Sequence, residues 1–279
     1  MTEEWKPVQA DFVASKERGV GLQHPSIEIF PSPTIGERVI RVLGGTGTTI
    51  NVTSSPNSGI EATIDLSRKL VSGGFTVVPH IGAKEIRDEA HLTRVSGEIA
   101  DLGIDEVFVV KGEGEIKGKY RTAAQLMQGL GQTSLRLRAI GIAGYPEGIE
   151  GMTEQQLLHA IKTREKLAYT MGAELRILTQ MCFDERKIMQ YAVNLRDNSI
   201  DAQLAVGLPI PENMRKLHEI AVRCGVGKSR DSLLLEDPDS QYSPQNLAQR
   251  VVESDSKGLV FGFHIYTFNK ILKLKELMP

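Results

Sequence analysis

The sequence predicts an α/β fold, a single-domain (β/α)8 TIM barrel. About eight apolar, strand-like runs occur along the chain, and a helical pattern follows nearly every one. No long linker or shift in composition divides the 279 residues, and barrels of this kind typically have roughly 250 residues. An open doubly wound sheet is the competing architecture, but it usually has a glycine fingerprint after its first strand. We therefore expect a leader over residues 1–25 and a barrel over residues 26–279.

The composition excludes several classes of function. With 33 basic and 35 acidic residues, the chain is near neutral, so we expect no binding to nucleic acid or to an anionic membrane. No apolar run approaches the ~20 residues of a membrane span, and the charged N-terminus lacks the apolar core of a secretory signal. Cys182 and Cys224 lie in apolar surroundings without a paired spacing, which predicts two buried thiols. These features predict a cytoplasmic protein.

The segment from Arg138 to Asp184 is the most clearly patterned part of the chain. It begins with a strand that is apolar on both faces and ends at Tyr145 and Glu147. A helical pattern follows and ends at Gly172, and a second strand then ends at Gln180. The segment therefore predicts a parallel βαβ unit whose strands place polar side chains at their carboxyl ends.

The first half of the chain continues this pattern. A short strand from Ser26 is stopped by prolines and places Glu28 inside it, where a carboxylate points into a barrel or pairs with a buried base. The glycine cluster over residues 44–49 lacks the lysine of a phosphate-binding loop and predicts a flexible turn. Further strands are predicted to end near Thr53, at His80 and before Lys111, with helices over residues 59–74 and 83–103.

The second half provides the remaining elements. We expect a helix over residues 184–200, a strand over 201–211, and a helix whose first turn is led by Pro211. A polar excursion follows over 229–243, then a helix over 243–258. An eighth strand ends on Tyr266, Thr267 and Asn269, and a closing helix follows it.

A barrel brings the carboxyl ends of its strands to one rim, where catalytic side chains collect. The strand-end residues are Glu28, Thr53, His80, Lys111, Glu113, Tyr145, Glu147, Gln180 and Tyr266. Carboxylates, a histidine and an amide are suited to proton transfer and to recognition of a polar heteroaromatic ring. The spacings of zinc, calcium and serine-nucleophile motifs do not occur, so we predict no metal site and no acyl transfer.

The strand-end motifs, in order, resemble those of the methylenetetrahydrofolate reductase family. They are SIEIFPSP, INVTSS, VVPHI, VVKGEGE, IAGYPEG, MGAELRILTQMCFD and GFHIYTFNK. The resemblance extends over about residues 26 to 270. It implies a (β/α)8 barrel that binds a flavin, FAD, at the carboxyl ends of its strands. It also implies reduction of 5,10-methylenetetrahydrofolate to 5-methyltetrahydrofolate with electrons from NADH or NADPH, and a homo-oligomer.

The resemblance also implies roles for individual residues. Glu28 and Glu113 are the implied catalytic residues. Glu28 would be the general acid that helps to open the methylene bridge, and Glu113 would lie near both flavin and folate. Gln180 would bind the pterin ring, and Tyr266 and Lys270 are the other residues implied for substrate binding. The residues implied for cofactor binding are Thr53, His80, Lys111, Gly112, Tyr145, Glu147 and Arg164.

This sequence departs from the family pattern at several of these positions. The usual Arg-Gly-Asp reads Lys111-Gly112-Glu113 here, and Gly148-Ile149 stands where a histidine is usual. Where the family places acidic, amide and lysine side chains toward the flavin, this chain has Ile161, Arg164 and Ala168. Two outcomes follow: FAD binds through other groups such as Lys111, Arg164 and Lys166, or hydride passes from the nicotinamide directly to the folate.

Two rival functions remain open from the sequence. The first is a folate-dependent one-carbon barrel of different chemistry, such as a pterin methyltransferase domain, which would need Gln180 but not an acid at Glu28. The second is a non-catalytic subunit that binds folate or flavin. The presence of both Glu28 and Gln180 counts against the second, because a binding module needs no acid buried in a strand.

Overall fold

The computed structural model describes residues 25–54, 58–210, 213–235 and 242–277, and it contains a closed barrel of eight parallel strands. The strands follow one another round the barrel in chain order, which confirms the predicted (β/α)8 fold. They are β1 (Ser26–Ile29), β2 (Thr49–Val52), β3 (Thr76–Gly82), β4 (Glu106–Val110), β5 (Ala139–Gly144), β6 (Glu174–Thr179), β7 (Gln203–Pro209) and β8 (Val260–Tyr266). Apart from Pro25, the predicted leader lies outside the described residues.

Helices alternate with the strands and cover the outside of the barrel. The α-helices are α1 (Ile35–Leu43), α2 (Gly59–Ser72), α3 (Glu89–Asp101), α4 (Ala123–Leu130), α5 (Glu154–Thr170), α6 (Glu185–Asp197), α7 (Met214–Arg223), α8 (Pro244–Ser254) and α9 (Leu274–Leu277). Short 3₁₀ helices are formed by Ala83–Glu85, Lys228–Leu234 and Ile271–Lys273. Apolar residues on the outer faces of the strands pack against these helices in one large core.

The predicted βαβ unit is present as β5, α5 and β6. Register pairs run the full length of the two strands, from Ala139 with Glu174 to Gly144 with Thr179. The helix between them begins at a capping box, in which the side chain of Thr153 and that of Gln156 each accept a hydrogen bond from the other residue's backbone N–H. The helix ends just before Gly172, whose φ of 69° suits the reversal there.

Several predicted boundaries were wrong because side-chain caps place the helix starts later. The helix expected from residue 83 begins at Glu89, since the carboxylate of Asp88 accepts from the backbone N–H of His91 at 2.7 Å. The helix expected from Pro211 begins at Met214, capped by Asn213; residues 211–212 themselves lie outside the described part of the chain.

Other expectations are corrected in the same way. The third strand was predicted to end at His80 but continues to Gly82, and the expected polar excursion includes the 3₁₀ helix Lys228–Leu234. The closing helix divides into a 3₁₀ turn and α9. Cys182 is buried as predicted, whereas Cys224 is exposed because it caps α7 at the rim of the barrel.

The inner faces of the strands form a small, separate core below the mouth of the barrel. Val78, Phe108 and Leu178 cluster there apart from the main core. The ring of Phe108 stacks on His80 with 4.4 Å between the ring centroids. Higher in the barrel, Gly207 lies on the inner face beside Tyr266, so the tyrosine ring occupies the space that a side chain at residue 207 would need.

We expect Gly207→Ala to destabilise the fold by about 1–3 kcal/mol, the usual cost of overpacking a core. A Cβ at Gly207 would lie 2.4 Å from Cε2 of Tyr266 and 2.5 Å from the carbonyl oxygen of Thr179. Gly262→Ala, on the neighbouring strand, is the matched control, because a Cβ there meets no atom within 4 Å. Urea denaturation measures both variants. Equal midpoints for the two would contradict the packing described here.

Candidate active site

Glu28 lies at the centre of the site. It is in β1, paired with Tyr266 of β8, and its side chain is 24 % exposed. Its Oε2 lies 3.9 Å from Nε2 of His264. Burial raises the pKa of Glu28 to about 8. The carboxyl group therefore carries a proton at neutral pH, which is the form in which it could act as an acid.

The two histidines of the barrel interior are neutral. Burial lowers the pKa of His80 to about 3, and burial together with the nearby His80 lowers that of His264 to about 3. Nδ1 of His264 is hydrogen bonded to Oγ of Ser26 at 2.8 Å, while its Nε2 has no hydrogen-bond partner within the described part of the chain. His80 instead contacts Oδ1 of Asn51 at 3.3 Å. Neither histidine therefore supplies a positive charge that would ionise Glu28.

Sequence reasoning did not assign His264 a role, although the residue is the first letter of the HIYTFN run. It lies below Glu28, and its ring meets that of Tyr266 edge to face, with 5.1 Å between the centroids. The Tyr266 hydroxyl donates to the carbonyl oxygen of Thr179 at 2.6 Å. Burial, and the carboxylate of Glu28 where that group is ionised, hold the pKa of Tyr266 well above its usual value. Tyr266 is therefore a fixed, protonated wall of the site.

Thr267 and Asn269, which follow β8, stabilise the pairing of β1 with β8 that closes the barrel. Thr267 donates from Oγ1 to the backbone carbonyl of Glu28 at 2.5 Å. The amide of Asn269 accepts from the N–H of Phe30 and donates to its carbonyl, both at 2.9 Å, so it extends the β1–β8 pairing beyond the strands. These contacts fix the backbone on both sides of Glu28. Lys270 follows in the same loop, and its predicted contact with substrate stays a prediction.

Gln180 follows β6 directly, and the protein orients its amide. Its Oε1 accepts from the backbone N–H of Met181 at 2.8 Å, and its Nε2 donates to the backbone carbonyl of Cys224 at 3.4 Å. One N–H and one lone pair of the amide are left over, which is the donor and acceptor pair that a pterin edge can match.

Cys224 lies near three of the predicted site residues, Glu28, Glu113 and Gln180. Although Cys224 is exposed at its surface, desolvation raises the pKa of its thiol, and the Glu113 and Glu28 carboxylates, when ionised, raise it further. Gln180 also donates a hydrogen bond to the carbonyl oxygen of Cys224. That Glu28, Glu113 and Gln180 line one cavity stays a prediction. Glu113 is exposed in the loop after β4, whereas Glu28 lies inside the barrel. The two carboxylates therefore have different environments.

Several of the residues predicted to bind a cofactor lie on the β2 to β5 side of the mouth. The backbone N–H of Thr53 donates to Ile29 at 2.8 Å, which holds the β2 loop against β1. Gly112 has a φ of 79°, and a Cβ there would lie 3.3 Å from Cα of Gly82, so two backbone segments come close together. Lys111 is exposed beside them. This is a backbone-rich surface with a cation at its edge.

Arg164 and Tyr145 form the remaining part of this side. Burial lowers the pKa of the Arg164 guanidinium, while the nearby Tyr145 hydroxyl raises it. The guanidinium donates to the carbonyl of Ala160 in its own helix, at 2.9 Å. In the described part of the chain, no carboxylate lies within ion-pair distance of it. A half-buried guanidinium without a carboxylate is a candidate site for a phosphate. Ile161 and Ala168 of the same helix are buried in the core.

The structure does not leave Glu147 available for a cofactor. Its Oε1 accepts from Nζ of Lys187 at 2.6 Å and from the backbone N–H of Ser229 at 3.1 Å, and its Oε2 accepts from Oγ of Ser229. The side chain is 6 % exposed. Both oxygens are occupied by groups of the protein, so the predicted cofactor contact is not supported by this geometry.

Sequence reasoning also missed Glu85. It was assigned to a helix, but it ends a 3₁₀ turn after β3, where its Oε1 accepts from Oγ of Ser54 at 2.5 Å. Its carboxylate fills the space that a side chain at Gly82 would occupy. Burial raises the pKa of Glu85. The signal available in the sequence was only a carboxylate three residues after a strand glycine.

The described residues were also compared with the requirements of a metal site and of a membrane span. They contain no group of three or more histidine, cysteine, aspartate or glutamate side chains that could hold a metal ion. None of their helices has the length and apolar character needed to cross a membrane.

Comparison with known proteins gives a family and three distant structures. The family model described as methylenetetrahydrofolate reductase matches residues 29–278. The chain aligns with dihydropteroate synthase from Thermus thermophilus at 11 % identity, covering 94 % of each chain with a TM-score of 0.49. It also aligns with a putative lyase/mutase from Burkholderia cenocepacia at 13 % identity, covering 92 % of this chain and 81 % of that one with a TM-score of 0.47. For N-acetylneuraminate lyase from Mycoplasma synoviae the identity is 10 %, the coverage 85 % and 84 %, and the TM-score 0.45.

Proposed function

Since the chain belongs to the methylenetetrahydrofolate reductase family, we propose that it reduces 5,10-methylenetetrahydrofolate to 5-methyltetrahydrofolate at the mouth of its barrel. NADH or NADPH would supply the hydride. The observation that carries this proposal is Glu28, a partly exposed carboxyl group inside the barrel whose pKa is raised to about 8 by burial.

The reaction needs an acid at one step. The methylene carbon bridges N5 and N10 of the folate, and the bond to N10 breaks when N10 takes up a proton. The resulting N5 iminium ion then accepts a hydride at its methylene carbon. Glu28 is suited to donate that proton, because it is protonated at neutral pH and the Thr267 and Asn269 contacts fix its backbone. Neutral His264, 3.9 Å away, leaves the proton on Glu28.

Two residues would place the folate ring for this step. The free N–H and lone pair of the Gln180 amide would bind the polar edge of the pterin. Tyr266, held by its hydrogen bond to Thr179, would form a rigid wall beside the ring. Both residues lie on the β6 to β8 side of the mouth, next to Glu28 on β1.

The opposite side would bind the hydride donor. The close approach of Gly112 to Gly82 provides a backbone surface for a flat ring, and Arg164 is the half-buried cation that could hold a phosphate. These two features fit either FAD or a nicotinamide dinucleotide. When bound, FAD would supply a carrier between nicotinamide and folate. Since Ile161 and Ala168 are buried and Glu147 is occupied, a phosphate on this side would depend mainly on Arg164.

We expect the purified protein to oxidise NADH or NADPH in the presence of 5,10-methylenetetrahydrofolate and to form 5-methyltetrahydrofolate in equal amount. A coupled measurement of nicotinamide absorbance and folate products checks this. The visible spectrum of the same sample decides whether flavin is the carrier, because bound flavin has its own absorption band. A protein that binds 5-methyltetrahydrofolate but forms none would contradict the proposal and would favour a non-catalytic subunit.

A further inference from the structure

A compact cap covers the β6 to β8 side of the barrel mouth. It consists of residues 214–234, which include α7 and the 3₁₀ helix Lys228–Leu234. A second apolar core lies beneath it, distinct from the main core of the barrel. Its members are Met181, Phe183, Leu217, Ala221, Val226 and Leu233. Met181 and Phe183 belong to the loop after β6, so the cap is packed on the loop that begins with Gln180.

Glu147 provides the polar attachment of this cap. It lies in the loop after β5 and accepts hydrogen bonds from both the N–H and the hydroxyl of Ser229, at the start of the 3₁₀ helix. Lys187 of α6 donates to the same carboxylate at 2.6 Å. Burial alone would raise the pKa of Glu147, but Lys187 and Ser229 hold it below its usual value. The carboxylate is therefore a charged, hydrogen-bonded anchor between two loops and a helix.

The same network extends to the loop after β6. Oγ of Ser229 accepts from the backbone N–H of Phe183 at 3.0 Å while it donates to Glu147. The cap also comes very close to the anchor, since a Cβ at Gly227 would lie 2.6 Å from Oε1 of Glu147. Only glycine leaves room for this approach. Glu147 thus ties together the loops that follow β5, β6 and β7.

Gln180 lies between these attachments. Its amide donates to the carbonyl of Cys224, three residues before Gly227, and accepts from the N–H of Met181, two residues before Phe183. The orientation of the amide is therefore set by the position of the cap relative to the β6 loop. A shift of the cap would move the Cys224 carbonyl oxygen, the acceptor that fixes the orientation of Nε2 of Gln180.

We propose that Glu147 is a positioning residue: it holds the cap on the β6 loop and so orients the Gln180 amide toward the folate ring. This rests on the proposed function, in which Gln180 binds the pterin. Glu147 itself touches neither folate nor hydride donor. Its role is to keep a binding group in one geometry, and small displacements of such groups cost large factors in binding or rate.

The test compares Glu147→Gln with Glu150→Gln, a matched change at an exposed position in the same loop. Gln at residue 147 keeps the shape but cannot accept from all three donors. We expect its KM for methylenetetrahydrofolate to rise by about tenfold, with kcat within about threefold and the KM for the nicotinamide unchanged. Ser229→Ala should raise the same KM by a smaller factor, since Lys187 still holds Glu147. The proposal would be overturned if Glu147→Gln changed the KM for methylenetetrahydrofolate and the KM for the nicotinamide equally. It would also be overturned if a folded Glu147→Gln variant showed no change in either KM.

Hydrogen exchange provides a readout that does not depend on activity. In Glu147→Gln we expect faster amide exchange across residues 214–234 and in the β6 loop, with the strands of the barrel unchanged. Unchanged exchange in the cap would overturn the anchor even if KM rose. The two proposals can fail separately. If the wild-type protein has no reductase activity but amide exchange in the cap is still faster in Glu147→Gln, the reductase proposal is contradicted and the anchor is supported.

Discussion

Glu28→Gln should lower the turnover of methylenetetrahydrofolate by about 10² or more, the usual contribution of a positioned general acid. The change keeps the size of the side chain and its place in β1, but it removes the proton that N10 of the folate needs. Reduction of bound flavin by the nicotinamide, where flavin is present, needs no such proton transfer and should survive. Steady-state turnover and a stopped-flow measurement of flavin reduction check the two parts separately.

The control for this variant is Glu174→Gln, the same change at an exposed position at the opposite end of the barrel. It should leave turnover unchanged. Equal losses of folate turnover and flavin reduction in Glu28→Gln would show a structural residue rather than an acid. A loss of less than about threefold would remove Glu28 from the mechanism, since general acids contribute about 10²–10⁴.

Gln180→Ala should raise the KM for methylenetetrahydrofolate by about tenfold or more, because an unpaired polar edge of a buried ligand costs about 1–3 kcal/mol. The effect should lie mainly in KM, since the amide binds the ring and does not take part in proton or hydride transfer. Gln190→Ala is the matched control, because that glutamine is exposed on α6. An unchanged folate KM in Gln180→Ala, measured by initial rates at saturating nicotinamide, would contradict the pterin role.

Much of the fold was predictable from the sequence because each element shows its own pattern. The βαβ unit from Arg138 to Asp184 was identified correctly, since its apolar strands and the stop at Gly172 depend on local chemistry. Boundaries were less predictable. The starts of α3 and α7 are set by Asp88 and Asn213, and each of these caps competes with other polar residues nearby.

The positions of the site residues at the strand ends were predictable from the sequence. Glu28 and Tyr266 lie in β1 and β8, and Gln180 directly follows β6, so a position near the same rim was expected for all three from the barrel alone. The burial and the neighbours of these side chains were not predictable from the sequence. The pKa of Glu28 is raised by burial. Part of its surroundings, including His264, comes from β8, which is more than 200 positions away along the chain. No sequence pattern near Glu28 predicts this burial.

The role of Glu147 shows the same limit. The family resemblance implied a cofactor contact for Glu147, whereas in the structure its carboxylate accepts hydrogen bonds from Lys187 and Ser229. Ser229 lies 82 positions along the chain and belongs to a segment that looked like a polar excursion. Such a network depends on how three loops pack together, and single-sequence patterns carry little information about that packing.

The pH dependence of folate turnover tests the central claim most directly. Glu28 keeps its proton below a pKa of about 8 and loses it above that value. The wild-type kcat/KM for methylenetetrahydrofolate, which reports ionisation of the free enzyme, should therefore be level near neutral pH and fall as pH rises through about 8. Glu28→Gln should be slow and lack this fall. A profile that is level beyond pH 8, or a fall that persists unchanged in Glu28→Gln, would contradict the assignment of Glu28 as the acid of this reductase.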